Sequence, residues 1–393
     1  MNRPYGPWDP ADDDTFVCQA VRTVAPDMKT VVLAPSTASM VRFEAGQYVT
    51  VEFDVDGRAV NRCYTIASPP TRPERIAITV KRTSDGAVSR WLHDGGLGPG
   101  SVVRIGEPQG DFTIADHPAE SYLLLTAGSG ITPALSMLRT LYDLGTECDL
   151  VLVHAQRRVA EVPYRDELEW MARHVPGLRI RYLCGDAADQ PSMPGVVAGR
   201  LGPDVLAALV PDAATREVLA CGPAGYRATA RASASAVGCA PNRFHEESFT
   251  FEDLRAESLT TPSQFGGQGE VTLSPADGQG DVTLSTSDGQ RDVTPSSSDG
   301  QVGPTLATFR IEFRDHGVTI DCAADMTILD AAAAAGLTLP SSCAQGLCGT
   351  CKSTLIAGEV DMRHNGGIRP REIAAGKVLL CCSRPKSDLV VTG

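Results

Sequence analysis

Short apolar runs alternate with turn residues along the first part of the chain. Between Thr15 and Asp116, runs rich in Val, Ile, Thr and Tyr are separated by Asp-Gly, Pro-Pro and Gly-Pro-Gly. Runs of this composition, bounded by turn residues, are typical of strands. The pattern predicts a small antiparallel barrel, with strands at 16–24, 29–34, 47–53, 62–66, 75–81 and 102–106.

The pattern of apolar residues changes after the barrel region. Tyr122–Ala127 is a continuous apolar run, which is typical of a buried parallel strand, and a helical pattern follows it to Leu144. Three further strand–helix units begin at Leu150, Ile180 and Glu217. This alternation predicts an α/β parallel-sheet domain with helices on both faces.

The C-terminal part has a third pattern. Thr308–Phe313 and Gly317–Asp321 predict a hairpin, and Thr327 is suited to cap an Ala-rich helix. Strands are predicted again at Ser353–Ile356 and Leu389–Val391. We therefore expect a small mixed domain at 307–393.

An eleven-residue repeat separates the second and third regions. Gly267–Asp277 recurs as Gly278–Asp288 and Gly289–Asp299, and the segment is rich in Gly, Ser, Asp and Thr. Burial of its few apolar side chains does not offset the entropy cost of ordering the segment. Residues 256–306 are therefore expected to form a flexible linker. A calcium-binding β-roll is the alternative, but such rolls have a repeat of about nine residues.

Four cysteines in the last region carry the most specific chemistry. Cys343, Cys348, Cys351 and Cys381 have the spacing C-x4-C-x2-C-x29-C, and the first three match the C-x4-C-x2-C run of plant-type ferredoxins, which binds a [2Fe–2S] cluster. A disulfide pair or a zinc site is the alternative, but zinc sites usually need a second closely spaced pair. Cys382 is expected to point to the opposite side of the strand, which favours Cys381.

Composition and charge limit the expected classes of partner and indicate the cell compartment. The chain has 393 residues, a net charge of −13 and twelve cysteines. The negative charge argues against nucleic acid and anionic membranes. The eight other cysteines lie scattered in apolar or patterned segments, as buried thiols do in a reducing cytosol. Because the N-terminus has no apolar signal region and no run is long enough to span a membrane, we expect a cytoplasmic protein.

A glycine turn joins the first parallel strand to its helix. In Gly128-Ser-Gly-Ile-Thr-Pro133, the glycines allow the backbone to approach a phosphate at a helix N-terminus. After the second strand come Arg157 and Arg158, with no acid at the strand end. Arg suits a 2′-phosphate and so favours NADPH on physical grounds, but the choice between NADH and NADPH stays open.

A second short motif lies at the end of a barrel strand. Arg62-Cys-Tyr64-Thr65 offers a cation, a flat ring and a hydroxyl, which suit the phosphate, ring and N5 of a flavin. An exposed Arg and Thr beside a strand Tyr would give the same tetrapeptide. Gly86 and Ser89, at the start of a short helix, are suited to a pyrophosphate.

These motifs, with Gly110-Asp-Phe112 and Cys221-Gly222-Pro223, resemble the ferredoxin–NADP reductase superfamily in kind and order. The resemblance implies that Arg62 contacts a flavin phosphate, Tyr64 stacks on the isoalloxazine and Thr65 lies near N5. The Gly-Ala-Val-Ser turn is similar to the FAD branch. The implied FAD contacts are Arg62, Tyr64, Thr65, Val80, Lys81, Gly86, Val88 and Ser89.

For NADH or NADPH, the resemblance implies contacts from the two segments that flank the nicotinamide in this superfamily: Gly128, Gly130, Thr132, Cys221, Gly222 and Pro223. It also implies that an acid and an aromatic, Glu247 and Phe249, return to the flavin. Thr65, Cys221 and Glu247 are the candidate catalytic residues. The last region is similar to a β-grasp ferredoxin, with Cys343, Cys348, Cys351 and Cys381 as ligands of the [2Fe–2S] cluster.

The complete order resembles the reductase components of multicomponent oxygenases. It implies an FAD barrel at 1–117, an NAD(P) domain at 118–255, the linker at 256–306 and a ferredoxin domain at 307–393. The Trp8-Asp9 start and the run Arg62–Asp94 are similar to reductases of Rieske-type oxygenases that act on quaternary amines such as glycine betaine. A hybrid-cluster protein, a cytochrome P450 or a di-iron hydroxylase is an alternative acceptor, and a stand-alone flavin reductase is an alternative function.

Overall fold

The computed structural model describes residues 6–84, 86–186, 195–247, 271–273, 307–337, 339–341, 346, 349–364 and 367–392. The chain divides into two compact units, Met1–Asp253 and Leu254–Gly393. The predicted flavin and nucleotide domains lie together in the first unit, and the cysteine-rich region lies in the second. Each unit is described separately.

The first unit begins with the predicted antiparallel barrel. Its six-stranded sheet has the order β6-β5-β8-β2-β3-β7, and every neighbouring pair is antiparallel. A bridge between Ile66 and Ile78 links the ends of the two outer strands and closes the barrel. The elements are β1 (Gly6–Pro7), β2 (Thr15–Ala25), β3 (Met28–Pro35), β4 (Ser39–Met40), β5 (Tyr48–Val55), β6 (Arg58–Thr65), β7 (Ile76–Lys81), α1 (Ala87–His93) and β8 (Val102–Ile105).

The barrel forms because its strands alternate buried and exposed positions. In β5, for example, Val49, Val51 and Phe53 are fully buried while the residues between them are partly exposed. This two-residue period places one face of the strand in the core. The same core contains residues of α1, namely Val88 and Leu92.

A parallel sheet follows in the same unit, as predicted. Its order is β12-β11-β10-β9-β13-β14, and helices cover both faces because α2 and α3 contribute to one buried cluster and α4 and α5 to another. The elements are β9 (Ser121–Ala127), α2 (Ile131–Leu144), β10 (Asp149–Gln156), α3 (Arg165–His174), β11 (Leu178–Cys184), β12 (Val196–Ala198), α4 (Pro203–Leu209), β13 (Glu217–Cys221), α5 (Ala224–Ala236) and β14 (Phe244–Glu247).

The strand order reverses direction at β9, which lies between β10 and β13. In open α/β sheets, ligands bind beyond the carboxyl ends of the strands at such a switch point. The glycine turn follows β9 and the Cys221-Gly-Pro segment ends β13. The topology therefore brings the two predicted nucleotide segments to the same edge of the sheet.

Barrel and sheet share a core. Ala45, Ala67 and Phe112 of the barrel belong to the same buried cluster as α2 and α3. Ser136 of α2 donates a hydrogen bond to the Ser68 carbonyl at 2.7 Å. Each such hydrogen bond contributes about 0.5–1.5 kcal/mol to stability. The flavin and nucleotide regions consequently form one unit.

The second unit has the strand order expected of a β-grasp fold. β17 and β16 form an antiparallel hairpin, β16 pairs in parallel with β22, and β18 and β20 complete the sheet. Thr327 caps α6 by accepting a hydrogen bond from the Asp330 N–H, as predicted. The elements are β15 (Val271–Leu273), β16 (Thr308–Phe313), β17 (Val318–Ala323), α6 (Ile328–Ala334), β18 (Lys352–Ala357), β19 (Val360–Met362), α7 (Pro370–Ala374), β20 (Lys377–Leu379), β21 (Ser383–Pro385) and β22 (Leu389–Thr392).

The predicted linker at 256–306 lies outside the described residues except for β15. That strand pairs antiparallel with β19 of the second unit. Its register places Val271 opposite Met362 and Leu273 opposite Val360. Across the described ranges, no helix is both long and apolar enough to cross a membrane.

Candidate flavin, nucleotide and cluster sites

The end of β6 carries the predicted flavin residues. Arg62 and Tyr64 are half-buried, whereas Thr65 is only 4% exposed. The Tyr64 ring packs edge-on against Phe53, with ring centroids 6.1 Å apart. The Thr65 hydroxyl is buried and has no hydrogen-bond partner among the described residues. Because buried polar groups are nearly always satisfied, this hydroxyl fits a ligand atom such as the flavin N5.

The turn before α1 is closely packed around Gly86 and Ser89. The Ser89 hydroxyl accepts a hydrogen bond from the Thr83 N–H at 3.2 Å and donates one to the Gly86 carbonyl at 3.1 Å. A Cβ at Gly86 would lie 2.3 Å from the Thr83 Oγ1 and 2.4 Å from the Ser89 Oγ, so a side chain there would have to displace both hydroxyls. Val88 is buried in the barrel core together with Val80. The predicted pyrophosphate turn is thus held against the barrel.

Lys81, at the end of β7, connects the barrel residues to the glycine turn. Its Nζ would lie 3.6 Å from a Cβ at Gly128 and forms an ion pair with Asp27 at 3.3 Å. An ammonium group beside a glycine turn favours an anionic ligand there, because the N–H groups of the turn and the helix N-terminus also attract negative charge. The turn therefore fits a phosphate group of FAD or NAD(P)H.

The two nucleotide segments touch each other. A Cβ at Gly130 would lie 2.2 Å from the Cys221 carbonyl oxygen and 2.7 Å from the Gly222 nitrogen, so only glycine allows this approach. Thr132 is buried and donates a hydrogen bond to the Ser129 carbonyl at 3.0 Å. Pro223 follows directly as the cap of α5. The structure thus brings the sequence-predicted nucleotide residues together.

Cys221 and Glu247 lie opposite each other on β13 and β14. Cys221 is fully buried, and burial followed by the charge of Glu247 raises the pKa of its thiol well above the usual value. The Glu247 residue is half-buried, but its Oε2 is buried and has no hydrogen-bond partner among the described residues. Burial, with a smaller contribution from Asp111, raises the pKa of Glu247 to about 8. At neutral pH this carboxyl group is mainly protonated and can donate a proton.

His154 lies on the same sheet as Cys221 and Glu247, on β10. It is fully buried on β10, lies opposite Thr126 on β9, and its Nδ1 is 2.9 Å from the Thr126 hydroxyl. Burial, and then the charge of Lys81, lowers the pKa of His154 to about 3. No sequence pattern separates His154 from the other histidines, which show no ligand spacing.

The arginines after β10 differ in their surroundings. Arg158 forms an ion pair with Glu161, with its Nε 2.8 Å from the Glu161 Oε1. Arg157 is exposed, and its carbonyl accepts a hydrogen bond from the Asp186 N–H at 2.9 Å. Both side chains are exposed, and Arg158 is the one held by an acidic neighbour.

The second unit shows part of the predicted cluster site. Cys351 and Cys381 are buried in one core, and the Leu380 N–H donates to the Cys351 carbonyl at 3.2 Å. The Gly346 N–H donates to the Cys381 Sγ at 3.2 Å. N–H groups directed at ligand sulfurs are typical of iron–sulfur sites. Cys382 is half-buried, and its Sγ lies 3.6 Å from the Leu379 carbonyl, which agrees with Cys381 as the ligand.

Three predicted site residues, Cys343, Cys348 and Phe249, lie outside the described residues. The chemistry of the donor set still fits a [2Fe–2S] cluster, because Cys351 precedes β18, Cys381 follows β20, and Cys381 accepts an N–H···S bond.

Three family models match the chain in the order that the motifs predict. They are an oxidoreductase FAD-binding domain at residues 16–114, an oxidoreductase NAD-binding domain at 124–232 and a 2Fe-2S iron-sulfur cluster binding domain at 311–386. Two of the matches lie in the first compact unit and the third lies in the second. The chain therefore uses FAD, a [2Fe–2S] cluster and NAD(P)H.

Similar proteins extend over almost the whole chain. The glycine betaine monooxygenase reductase subunit of Chromohalobacter salexigens is 34% identical over 93% of this chain and 91% of its own length. The chain belongs to the family of oxygenase reductases that combine FAD-, NAD- and 2Fe-2S-binding domains. The stachydrine N-demethylase reductase subunit of Rhizobium meliloti, another member, is 34% identical over 95% of each chain.

A solved structure supports the same architecture. An intact type IV self-sufficient cytochrome P450 monooxygenase matches 100% of this chain and 42% of its own, with a TM-score of 0.54 and 23% identity. At this identity the likeness concerns the fold. As in other oxygenase reductases, electrons pass from NAD(P)H through the flavin and the cluster to an oxygenase.

Proposed function

We propose that the chain is the reductase component of a Rieske-type oxygenase that acts on a quaternary amine such as glycine betaine. The observation that carries this proposal is the match to two reductase subunits, of a glycine betaine monooxygenase and of a stachydrine N-demethylase, over more than nine-tenths of each chain. Similarity over that share of both chains supports a shared type of acceptor.

In this proposal the barrel residues hold the flavin. When bound, FAD would accept one hydride, which carries two electrons, and release the electrons singly, and the cluster would carry one electron at a time. Arg62 binds a phosphate, Tyr64 packs on the ring and Thr65 directs its otherwise unpartnered hydroxyl to N5. Val80, Gly86, Val88 and Ser89 shape the rest of the site.

The sheet residues hold the nucleotide. The close approach of Gly130 to Cys221 leaves only backbone at the switch point, which supports binding of the nicotinamide end there. Gly128, Thr132, Gly222 and Pro223 line the same edge of the sheet. Lys81 neutralises phosphate charge beside the glycine turn.

Glu247 and Cys221 are proposed to control the chemistry beside the nicotinamide. The raised pKa of Glu247 supports a protonated carboxyl group at neutral pH, which can supply a proton to the reduced flavin. Cys221 stays a neutral thiol because its pKa is raised too. Phe249 is proposed to complete the flavin side of this group.

The thiolates of Cys343, Cys348, Cys351 and Cys381 are proposed to hold the cluster. The Gly346 N–H then stabilises negative charge on the Cys381 sulfur. This stabilisation favours the reduced cluster, which is more negatively charged than the oxidised cluster.

The test is reconstitution with purified acceptors. The full-length protein is supplied with NADH or NADPH and paired in turn with a Rieske-type glycine betaine oxygenase, a cytochrome P450, a hybrid-cluster protein and a di-iron hydroxylase. The proposal predicts substrate-dependent oxidation of NAD(P)H and release of formaldehyde with the Rieske protein alone. Equal or faster turnover with another acceptor would overturn the acceptor assignment.

A parallel assay separates a stand-alone flavin reductase from a relay. Free flavin or ferricyanide accepts electrons directly from reduced FAD, whereas the oxygenase receives them from the cluster. Full oxygenase turnover by a Cys381→Ser protein would contradict the relay.

A further inference from the structure

Three metal-binding side chains that the flavin, nucleotide and cluster sites do not use lie close together. They are His117, Glu217 and His245, each of which offers one ligand atom, and these atoms all lie within 4.8 Å of one another. His245 Nε2 is 2.6 Å from Glu217 Oε1. The His117 and His245 rings are stacked, with centroids 3.6 Å apart. Within the described ranges, no other group of this kind occurs.

The fold explains why these residues converge. β13 and β14 are parallel and Leu219 lies opposite His245. Glu217 is two residues before Leu219 and therefore projects from the same face of the sheet. His117 belongs to the connection that leads from the barrel into β9, so its side chain reaches the sheet from a different part of the unit.

The backbone around His117 is held in place. The Tyr122 hydroxyl accepts a hydrogen bond from the Ala119 N–H at 2.7 Å and donates one to the His117 carbonyl at 3.1 Å. Both partners are in the connection, and Tyr122 is on β9. The main chain that carries His117 is thus fixed while its imidazole can turn about the side-chain bonds.

We propose that His117, Glu217 and His245 form a binding site for one divalent transition-metal ion of the Zn²⁺ class. Two imidazole nitrogens and one carboxylate oxygen suit zinc, and water completes a tetrahedral set in such open sites. Ligand atoms about 2.0–2.1 Å from the ion lie roughly 3.3 Å apart, so atoms that already lie within 4.8 Å of one another need to close by at most about 1.5 Å.

Binding requires two local changes. The stacked rings direct their nitrogen lone pairs within parallel planes, so the His117 imidazole must rotate out of the stack for both nitrogens to face one ion. The ion also replaces the proton shared between His245 and Glu217, because a ligating nitrogen must be unprotonated. Both changes are confined to side chains.

The surroundings favour a cation. Asp111, Asp116 and Glu217 all act electrostatically on His117, and their negative charges attract a metal ion. Burial, and then His245, lowers the pKa of His117, which keeps its imidazole in the neutral form that binds metals. All three ligand residues are half-buried, so a hydrated ion can reach them from solvent.

The site has a structural consequence within the first unit. A bound ion would join the barrel-to-sheet connection, through His117, to the edge of the sheet, through Glu217 and His245. An ion that binds the folded chain and not the unfolded chain raises stability by mass action. Zinc should consequently raise the unfolding temperature of this unit.

The test measures zinc bound to the full-length protein loaded with FAD and iron–sulfur cluster. Samples are dialysed against a chelator-buffered Zn²⁺ solution, and zinc, iron and FAD are measured per chain. Wild type should hold one more zinc than His117→Gln or Glu217→Gln. His174→Gln is the matched control, because His174 is exposed, is stacked on Trp170 and does not belong to the group of three ligands. The His174→Gln protein should bind zinc as wild type does.

Thermal unfolding gives a second readout. Zinc should raise the unfolding midpoint of wild type and His174→Gln, but not that of His117→Gln or Glu217→Gln. If either His117→Gln or Glu217→Gln fails to fold, the remaining variant decides the result. Unchanged FAD content is the criterion of folding. Equal zinc content in wild type and in the folded His117→Gln and Glu217→Gln variants would overturn the proposal. An equal loss of bound zinc in His174→Gln would overturn it too.

Discussion

The backbone N–H of Gly346 donates a hydrogen bond to the Sγ of Cys381, at a distance of 3.2 Å. Gly346 has a φ of +71°, a backbone conformation that a side chain makes costly. The relationship joins a loop residue to a sulfur that comes from far along the sequence. A substitution at Gly346 can therefore change the potential of the cluster without removing one of its cysteine ligands.

Gly346→Ala should make the cluster potential more negative. The added Cβ costs about 1–2 kcal/mol at positive φ, and relaxation of the loop weakens the N–H···S bond that stabilises the reduced cluster. Spectroelectrochemical titration of the full-length protein measures the potential. Gly336→Ala is the matched control, because Gly336 has a φ of +78° and nothing within 4 Å of its Cβ position. It should lose similar stability without a change in potential, and equal shifts in both variants would refute the role of the hydrogen bond.

The adjacent cysteines Cys381 and Cys382 should behave differently. Cys381→Ser should abolish or strongly weaken the [2Fe–2S] absorption, whereas Cys382→Ser should retain it, because only Cys381 accepts the Gly346 N–H. Iron content and the visible spectrum of the purified proteins measure this. Loss of the cluster in Cys382→Ser with retention in Cys381→Ser would reverse the ligand assignment.

Glu247 should make stability depend on pH. Its carboxyl pKa is raised to about 8 in the folded protein, so the folded chain keeps a proton that the unfolded chain releases at its ordinary, lower pKa. Stability should therefore fall as pH rises from about 4.5 to about 8, by up to ~1.4 kcal/mol per pH unit. Thermal unfolding across this range, followed by tryptophan fluorescence, tests the sign.

Glu247→Gln should remove this component, since the amide does not titrate. If the proton is used in the reaction, the rate of flavin reduction by NAD(P)H should also lose any inflection near pH 8. Matching pH profiles for wild type and Glu247→Gln would count against both roles.

Thr65→Val should slow flavin reduction without destabilising the chain. The Thr65 hydroxyl is buried and has no partner among the described residues, so replacing it with a methyl group of similar shape leaves no group unsatisfied. A lost hydrogen bond of 0.5–1.5 kcal/mol to the flavin corresponds to a decrease of up to about tenfold. Stopped-flow reduction of the bound FAD measures the rate. Thr65→Ser keeps the hydroxyl and should stay near wild type, whereas a fully active Thr65→Val would exclude the proposed contact.

Local sequence signals predicted most of the fold. The capping threonine Thr327 and the end of α2 at Leu144 were correctly located because each depends on residues close in sequence. The barrel strands followed from their content of Val, Ile, Thr and Tyr and from the turn residues between them. The bridge between Ile66 and Ile78, which closes the barrel, depends on where the strands meet and has no signal of its own.

Other features depend on contacts between distant residues. Arg216 is fully buried, and its guanidinium is 2.9 Å from Asp149 and 2.6 Å from Asp212. A hydropathy pattern alone would place such a residue at the surface. Tyr164 has a φ of +56°, and its hydroxyl bonds to Thr30 and Thr79 of the barrel. Neither arrangement can be recognised without the packing of the other elements.

The candidate sites divide in the same way. The glycine turn and the cysteine loop are contiguous motifs, so their residues could be predicted. The group of His117, Glu217 and His245 is drawn from a connection and two strands, and its spacing resembles no ligand motif. Sequence reasoning therefore missed it, and the tertiary structure revealed it.

Electrons pass from NAD(P)H to the flavin and from the flavin through the cluster to the oxygenase. An anaerobic stopped-flow measurement of wild type and Cys381→Ser, with NAD(P)H added and the oxygenase present, follows both steps at once. We predict that the flavin bands bleach at the same rate in both proteins, while the oxygenase is reduced only by wild type. Reduction of the oxygenase at the wild-type rate by a Cys381→Ser protein that lacks the cluster would show that electrons do not need the cluster to reach the oxygenase.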